Sequence, residues 1–133
     1  MTDILVDTSV LLDVLTDDPV WAGWSAETIA TANGRLRINQ IVVAELAPGF
    51  RSLEELRTRL PDTAFHREQL PFEAAFLAGR AFATYRRRGG PRASPIADFY
   101  IGAHAAVRGY RLLTRDPSIV RTFFPRLALI VPK

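Results

Sequence analysis

Apolar residues in this chain fall into short unbroken runs separated by longer stretches of helical spacing, with proline, glycine and acidic breaks between them. Ile4-Leu5-Val6, closed by Asp7, is a β-favouring triplet of the kind buried on both faces of a parallel sheet. Thr8 and Ser9 can cap a helix whose stripe is Val10, Leu11, Leu12, Val14 and Leu15, ended by Asp17-Asp18-Pro19. A second helix is predicted over about Trp21 to Ala32, stopping at Asn33-Gly34. Leu36 to Asn39 reads as a strand, and Ile41-Val42-Val43-Ala44 leads into a helix that carries Glu45 and cannot run cleanly through Pro48-Gly49. Ser52-Leu53-Glu54-Glu55 is a capping box for a helix ending near Pro61, and Thr63 to Gln69 has the weakest strand pattern of the set. Pro71-Phe72 opens the longest helix, with Ala74, Ala75, Leu77, Ala78, Ala81 and Phe82 facing inward, and Arg86-Arg87-Arg88-Gly89-Gly90 closes it. Ser94-Pro95 fits an N-cap with proline at the first helical position, for a helix from Ile96 to Arg108 stopped by Gly109. Tyr110 to Thr114 is a strand, Asp116-Pro117 starts a short helix, and Leu127 to Val131 is the last strand.

Strands alternating with helices predict an α/β protein, a three-layer α/β/α sandwich around a short, mainly parallel central sheet with right-handed crossovers. The length of 133 residues, with no repeat or linker, fits a single domain over 1–133. In such sheets the functional crevice lies outside the carboxyl ends of the strands. Asp7 and Asp116 each follow a strand end, Asp98 lies in the first turn of the helix before the Tyr110 strand, and Glu45 follows the second strand by six residues. Acids from four separate segments are thereby steered toward one edge. Asp3, at the amino end of the first strand, and Asp13, inside a helix, are not expected there, and the remaining acids read as solvated surface.

Each acid has a plain structural explanation. Asp7 can cap the first helix, Asp116 before Pro117 is a good N-cap, and Asp98 is favoured in a first turn by the helix dipole. Glu45 is different, because apolar residues flank it on both sides and a lone buried carboxylate needs a cation or a proton. Four carboxylates within reach of one another also repel unless neutralised, and a divalent metal is the simplest remedy. The chain has no cysteine and two histidines, so all-oxygen ligation points to Mg²⁺ or Mn²⁺ rather than zinc. His66 and His104 are expected in surface or core roles.

The absence of cysteine also excludes disulfides, iron–sulfur ligation and a cysteine nucleophile, and it makes the cytoplasm the expected compartment. The start Met1-Thr2-Asp3 has no basic leader region, and the longest run without charged residues, Phe99 to Val107, is too short to span a membrane. The net charge is +3, and all basic residues but Lys133 are arginine, a bias that a GC-rich genome produces whatever the function. Because that +3 includes −4 from the four acids, the rest of the chain stands at +7, an acidic pit in a basic surround suited to a phosphate polymer. Arg86, Arg87 and Arg88, with Arg92, lie just upstream of Asp98 and serve either to complement the helix dipole or to contact the phosphates of such a polymer.

Taken in order, Ile4-Leu5-Val6-Asp7-Thr8-Ser9, Val43-Ala44-Glu45-Leu46, Asp98-Phe99-Tyr100-Ile101-Gly102-Ala103-His104-Ala105 and Leu112-Leu113-Thr114-Arg115-Asp116-Pro117 strongly resemble the PIN-domain ribonucleases, and within them the VapC-type toxins of bacterial toxin–antitoxin modules. The likeness spans the whole chain, including Arg121-Thr122-Phe123-Phe124-Pro125 before the last strand. It implies that Asp7, Glu45, Asp98 and Asp116 are the acidic quartet, with Ser9 and Thr114 as supporting hydroxyls. Asp7, Asp98 and Asp116 would hold Mg²⁺ or Mn²⁺, while Glu45 completes the cage or orients the attacking water. The implied activity is metal-dependent endoribonuclease cleavage leaving a 5′-phosphate and a 3′-hydroxyl. The implied partners are an RNA substrate, a second copy of the chain, and a small antitoxin whose C-terminal segment obstructs the acidic site. Pro48-Gly49 departs from the pattern and is expected to shorten or kink the helix of Glu45.

Other readings fare worse. A haloacid-dehalogenase-like phosphatase needs a second Asp where Ser9 stands, and a receiver domain needs a lysine after its last strands, for which Lys133 is a poor candidate. The rival of another class is a non-catalytic PIN-like scaffold that binds RNA or a partner protein, with the acids as caps. Trp21, Trp24, Phe50 and Phe76 are candidate contact points, although large apolar residues at helical spacing more often form core.

Overall fold

The computed structural model describes residues 2–90 and 96–133. The apolar triplets form the sheet as expected. Strands β1 (Ile4–Val6), β2 (Leu36–Ile38), β3 (His66–Arg67), β4 (Arg111–Leu113) and β5 (Leu129–Ile130) stand in the order β3-β2-β1-β4-β5, with every neighbouring pair parallel. Ile4 pairs with Leu36 on one side and Arg111 on the other, so β1 is central and all three of its residues are fully buried. From β1 the chain moves to β2 and β3 on one side and later to β4 and β5 on the other. The topological switch point therefore lies between β1 and β4.

The helices are α1 (Thr8–Leu15), α2 (Ala22–Thr31), α3 (Gln40–Leu46), α4 (Leu53–Arg59), α5 (Phe72–Arg87), α6 (Ile96–Arg108) and α7 (Ser118–Phe123). Gly89 and Gly109 follow α5 and α6 in the left-handed region, at φ 88° and 72°, as their positions in the sequence imply. Pro48 does shorten its helix: α3 ends at Leu46 and a 3₁₀ turn occupies Ala47–Gly49. Several boundaries differ from the sequence reading. The weak third strand contracts to two residues, and Leu77 lies 37% exposed rather than inward. The expected Ser94-Pro95 cap falls outside the described residues.

Helices α5, α6 and α7 meet through rings. Phe99, fully buried, packs edge-on to Phe82 at 5.4 Å and lies 5.4 Å from Tyr85 and 5.2 Å from Phe123. The approach of α6 to α7 requires Gly102, where an added Cβ would stand 2.8 Å from Val120 Cγ1 and 2.9 Å from Phe124 Cδ2. Gly102→Ala should therefore cost about 1–3 kcal/mol in urea unfolding despite its better helix propensity. A more stable variant would show that this approach is loose.

Asn39 ends β2 as a cap rather than a strand residue. Its Oδ1 accepts from the amides of Ile41 and Val42 at 3.0 and 3.1 Å, which leaves Nδ2 to donate to His104 Nδ1 at 2.9 Å. That bond fixes the tautomer. With Nδ1 an acceptor, Nε2–H of His104 donates to Glu68 Oε2 at 2.6 Å. Burial lowers the His104 pKa in spite of the carboxylate, consistent with a neutral ring. Glu68 also accepts from Tyr110 Oη and Arg37 Nη1, each at 2.7 Å, and Arg37 Nε reaches Asp3 at 2.6 Å. Glu68, read from sequence as surface, is instead the hub that ties β2, α6 and the start of β4 together. His104 is a core residue, and His66 is exposed.

Candidate active site

Parallel strands of similar length deliver their succeeding residues to a common edge. Asp7 directly follows β1, and Asp116 lies three residues beyond β4, so the two flank the switch point. Asp98 stands in the first turn of α6. Asp7, Asp98 and Asp116 line one small cleft with Thr114, whose apolar members are Ile101, Leu112 and Val120. Glu45, in the last turn of α3, is close enough to act electrostatically on Asp98. The structure thus gathers all four sequence-predicted acids at one edge.

Hydroxyl groups stitch this edge together. Asp7 Oδ2 accepts from Ser9 Oγ at 2.7 Å and from Thr114 Oγ1 at 2.8 Å. Thr114 Oγ1 in turn accepts from the Asp116 amide at 3.1 Å, and Ser9 Oγ from the Arg115 amide at 3.2 Å. Both sequence-predicted supporting hydroxyls therefore link the end of β1 to the loop after β4. Thr8 does the same for Glu45, donating from Oγ1 to Oε1 at 2.6 Å, a role the sequence reading missed by treating Thr8 as a cap.

The structure does not bear out the capping explanations for Asp7 and Asp116, while Asp98 does stand in the first turn of α6 as its dipole explanation requires. Asp7 occupies the N-cap position of α1 but its side chain makes no capping hydrogen bond, and α7 begins at Ser118 with Pro117, not Asp116, at its N-cap. One argument for Glu45 fails as well. Its side chain is exposed, although Val42 and Leu46 of the same helix are buried.

Burial is the main force on the remaining charges. It raises the pKa of Asp7 against the pull of the Ser9 and Thr114 hydroxyls. Burial, followed by the charges of Asp7, Glu45 and Asp116, pushes Asp98 up to about 7. Among the described residues none of the four acids forms an ion pair, while Asp13 does. Asp13, 2% exposed and outside the cluster as expected, accepts from Arg115 Nε at 2.8 Å and from Ser25 Oγ at 3.0 Å. Oxygen donors gathered without a counter-cation match the chemistry of a hard divalent ion. Among the described residues, however, no three acidic or histidine side chains converge into a ready-made cage.

Arg86 and Arg87 end α5, Arg88 caps it, and all three are exposed. Arg88 stacks over Phe123 at 5.5 Å and Arg87 Nη2 donates to Thr84 Oγ1 at 3.0 Å, while Arg92 lies outside the described residues. Trp21 is covered by the Arg115 guanidinium, and Phe76, 68% exposed, carries Arg80 over its ring. A mostly apolar cavity of about 580 Å³, lined by Leu77, Tyr110, Phe124 and Leu127 among others, includes none of the four acids. No described helix is long and apolar enough to cross a membrane.

The family model of the PIN domain matches residues 4–124. The chain belongs to the PIN domain family. Its fold over nearly its full length is shared with solved structures of VapBC proteins. A DNA-bound VapBC from Salmonella typhimurium matches at TM-score 0.72 and 21% identity, covering 98% of each chain. VapBC2 from Rickettsia felis, bound to a DNA fragment from its promoter, matches at TM-score 0.70 and 19% identity with 98% coverage of each. VapBC-1 from nontypeable Haemophilus influenzae matches at 0.72 and 20% with 96% of each. No curated protein matches this PIN domain.

Proposed function

We propose that this PIN domain is a divalent-metal-dependent endoribonuclease and the toxin of a toxin–antitoxin pair. The observation that carries the reading is the gathering of Asp7, Glu45, Asp98 and Asp116 at the switch-point edge with no salt bridge to any of them among the described residues. Asp7, Asp98 and Asp116 would hold Mg²⁺ or Mn²⁺, and such an ion, when bound, supplies charge neutralisation and water activation for phosphodiester hydrolysis. Glu45, fixed by Thr8 but open to solvent, is placed to complete that shell or to orient the attacking water. Ser9 and Thr114 hold the Asp7 carboxylate in one orientation. Arg86, Arg87, Arg88 and Arg92 supply positive charge for the RNA backbone, and a cognate antitoxin and a second copy of the chain are the expected protein partners. The VapBC complexes that share the fold support the antitoxin part of this reading.

The test is incubation of the purified chain with a mixed RNA pool in Mg²⁺, Mn²⁺ or chelator, followed by mapping of the new ends. Cleavage that needs the ion and leaves 5′-phosphates is expected, and cleavage undiminished in chelator would contradict the proposal. One observation favours a non-catalytic scaffold instead, namely that the carboxylates do not converge into a cage. Mn²⁺ calorimetry separates the two readings, because the nuclease binds the ion at a site that Asp98→Asn removes and the scaffold does not.

A further inference from the structure

Arg115 lies between Thr114 and Asp116, and its amide donates to the same Ser9 hydroxyl that orients Asp7. Its side chain is fixed from two sides. Nε donates to both oxygens of Asp13, at 3.1 and 2.8 Å, and the guanidinium stacks over the Trp21 ring at 5.8 Å. Among the described residues the side chain donates only through Nε, and it remains 31% exposed. Its Nη1 and Nη2 amino groups are therefore unspent, yet held in place.

Pairing alone does not account for this arrangement. A buried Asp13 needs one cation, which the Nε contact already supplies, and an apolar pair would serve packing at least as well. What the arginine adds is an anchored pair of amino groups that make no hydrogen bond to the described residues, with Asp18 and Asp116 near enough only to act on its charge, beside an edge where four carboxylates repel any polyanion. A guanidinium fork matches a phosphate in both charge and spacing. We propose that Arg115 is a phosphate-binding residue, an anchored fork that holds a backbone phosphate of RNA next to the acidic edge. This rests on the nuclease reading above and adds a contact outside the Arg86–Arg88 cluster.

The experiment measures binding of a fluorescent single-stranded RNA across a salt series, using the full chain carrying Asp98→Asn to silence cleavage. Adding Asp13→Asn and Arg115→Gln together exchanges the ion pair for a neutral hydrogen bond, so no buried charge is left alone. The expected result is an unchanged circular dichroism spectrum, affinity about tenfold weaker, and a log–log salt slope shallower by about 0.7, the loss of one single-strand phosphate contact. A role confined to pairing Asp13 would not move that slope, and a folded variant with parental affinity and slope overturns the proposal. Should the double substitution fail to fold, Arg115→Lys keeps a cation for Asp13 and removes the fork. A drop in affinity of about threefold or more then supports the proposal, and parental affinity overturns it. Failure of the nuclease reading looks different: Asp98→Asn protein still cleaves, or the parent binds no RNA at any salt, in which case the phosphate contact falls with it.

Discussion

Asp98→Asn is expected to abolish RNA cleavage, by on the order of 10³-fold or more, while leaving the chain folded and, in chelator, more stable than the parent. The two effects share one cause. Asp98 is the carboxylate on which burial and the charges of Asp7, Glu45 and Asp116 converge, and with its pKa at about 7 it resists ionisation when no cation is present. Asparagine keeps the shape and removes both the charge that would bind the ion and the repulsion that charge creates. A raised folded-state pKa makes ionisation cost stability, so the penalty is absent below the unfolded value near 4, grows as pH rises, and is complete above about 7. A rise from 3.8 to about 7 would correspond to about 4 kcal/mol in a dry site, and partial exposure of the carboxylate to water reduces this to about 1–2 kcal/mol. Urea unfolding in chelator at pH 8 should show the gain, and at pH 4 it should vanish. An Asp98→Asn protein that is folded and cleaves at the parental rate would remove Asp98 from the site, and equal stability at pH 8 would remove the repulsion argument.

The parts of this site that were legible in the sequence are those set by local chemistry. Ile4-Leu5-Val6 has no amphipathic alternation and must be buried on both faces, and that requirement alone places Asp7 at the open end of a parallel strand. Asp116 follows from the same reasoning applied to β4, and Asp98 from the rule that a helix crossing back over the sheet starts near that edge. What stayed hidden depends on partners distant in the chain. Asp13 and Arg115 are 102 positions apart, and the groups that make Glu68 a hub and His104 a neutral acceptor are also far apart, so no periodicity marks such pairs. Glu45 shows the converse error. Its apolar neighbours signalled burial, but which helix positions are buried depends on the face that meets the core, and in α3 that face carries Val42 and Leu46 while Ala44 and Glu45 are exposed.

Metal affinity is expected to rise about tenfold for each pH unit between 5 and 7, roughly 100-fold in all, and then to level off. The cation competes with one proton held by Asp98, whose pKa stands at about 7 until the ion arrives. Below that value each unit of pH raises the ionised fraction tenfold, and above it the carboxylate is already free. Asp7, raised by burial, works in the same direction, so the slope at the acid end should be at least as steep. Mn²⁺ titration by calorimetry at pH 5, 6, 7 and 8, in buffers of different ionisation enthalpy, reads both the affinity and the protons released, close to one per ion at pH 6. Thermal melts supply the mirror image, because without the ion the protein loses stability as pH rises toward 7, and with it that loss is offset. Asp7 and His104 also respond to pH, but burial lowers the His104 pKa, His104 is bonded to Asn39 and Glu68 rather than to the acidic edge, and both groups stay intact in Asp98→Asn. Stability of the metal-free protein that falls as steeply between pH 5 and 7 in that variant as in the parent would therefore assign the titration elsewhere. A parental Mn²⁺ affinity that is flat across the range would show that the ion does not meet a protonated Asp98.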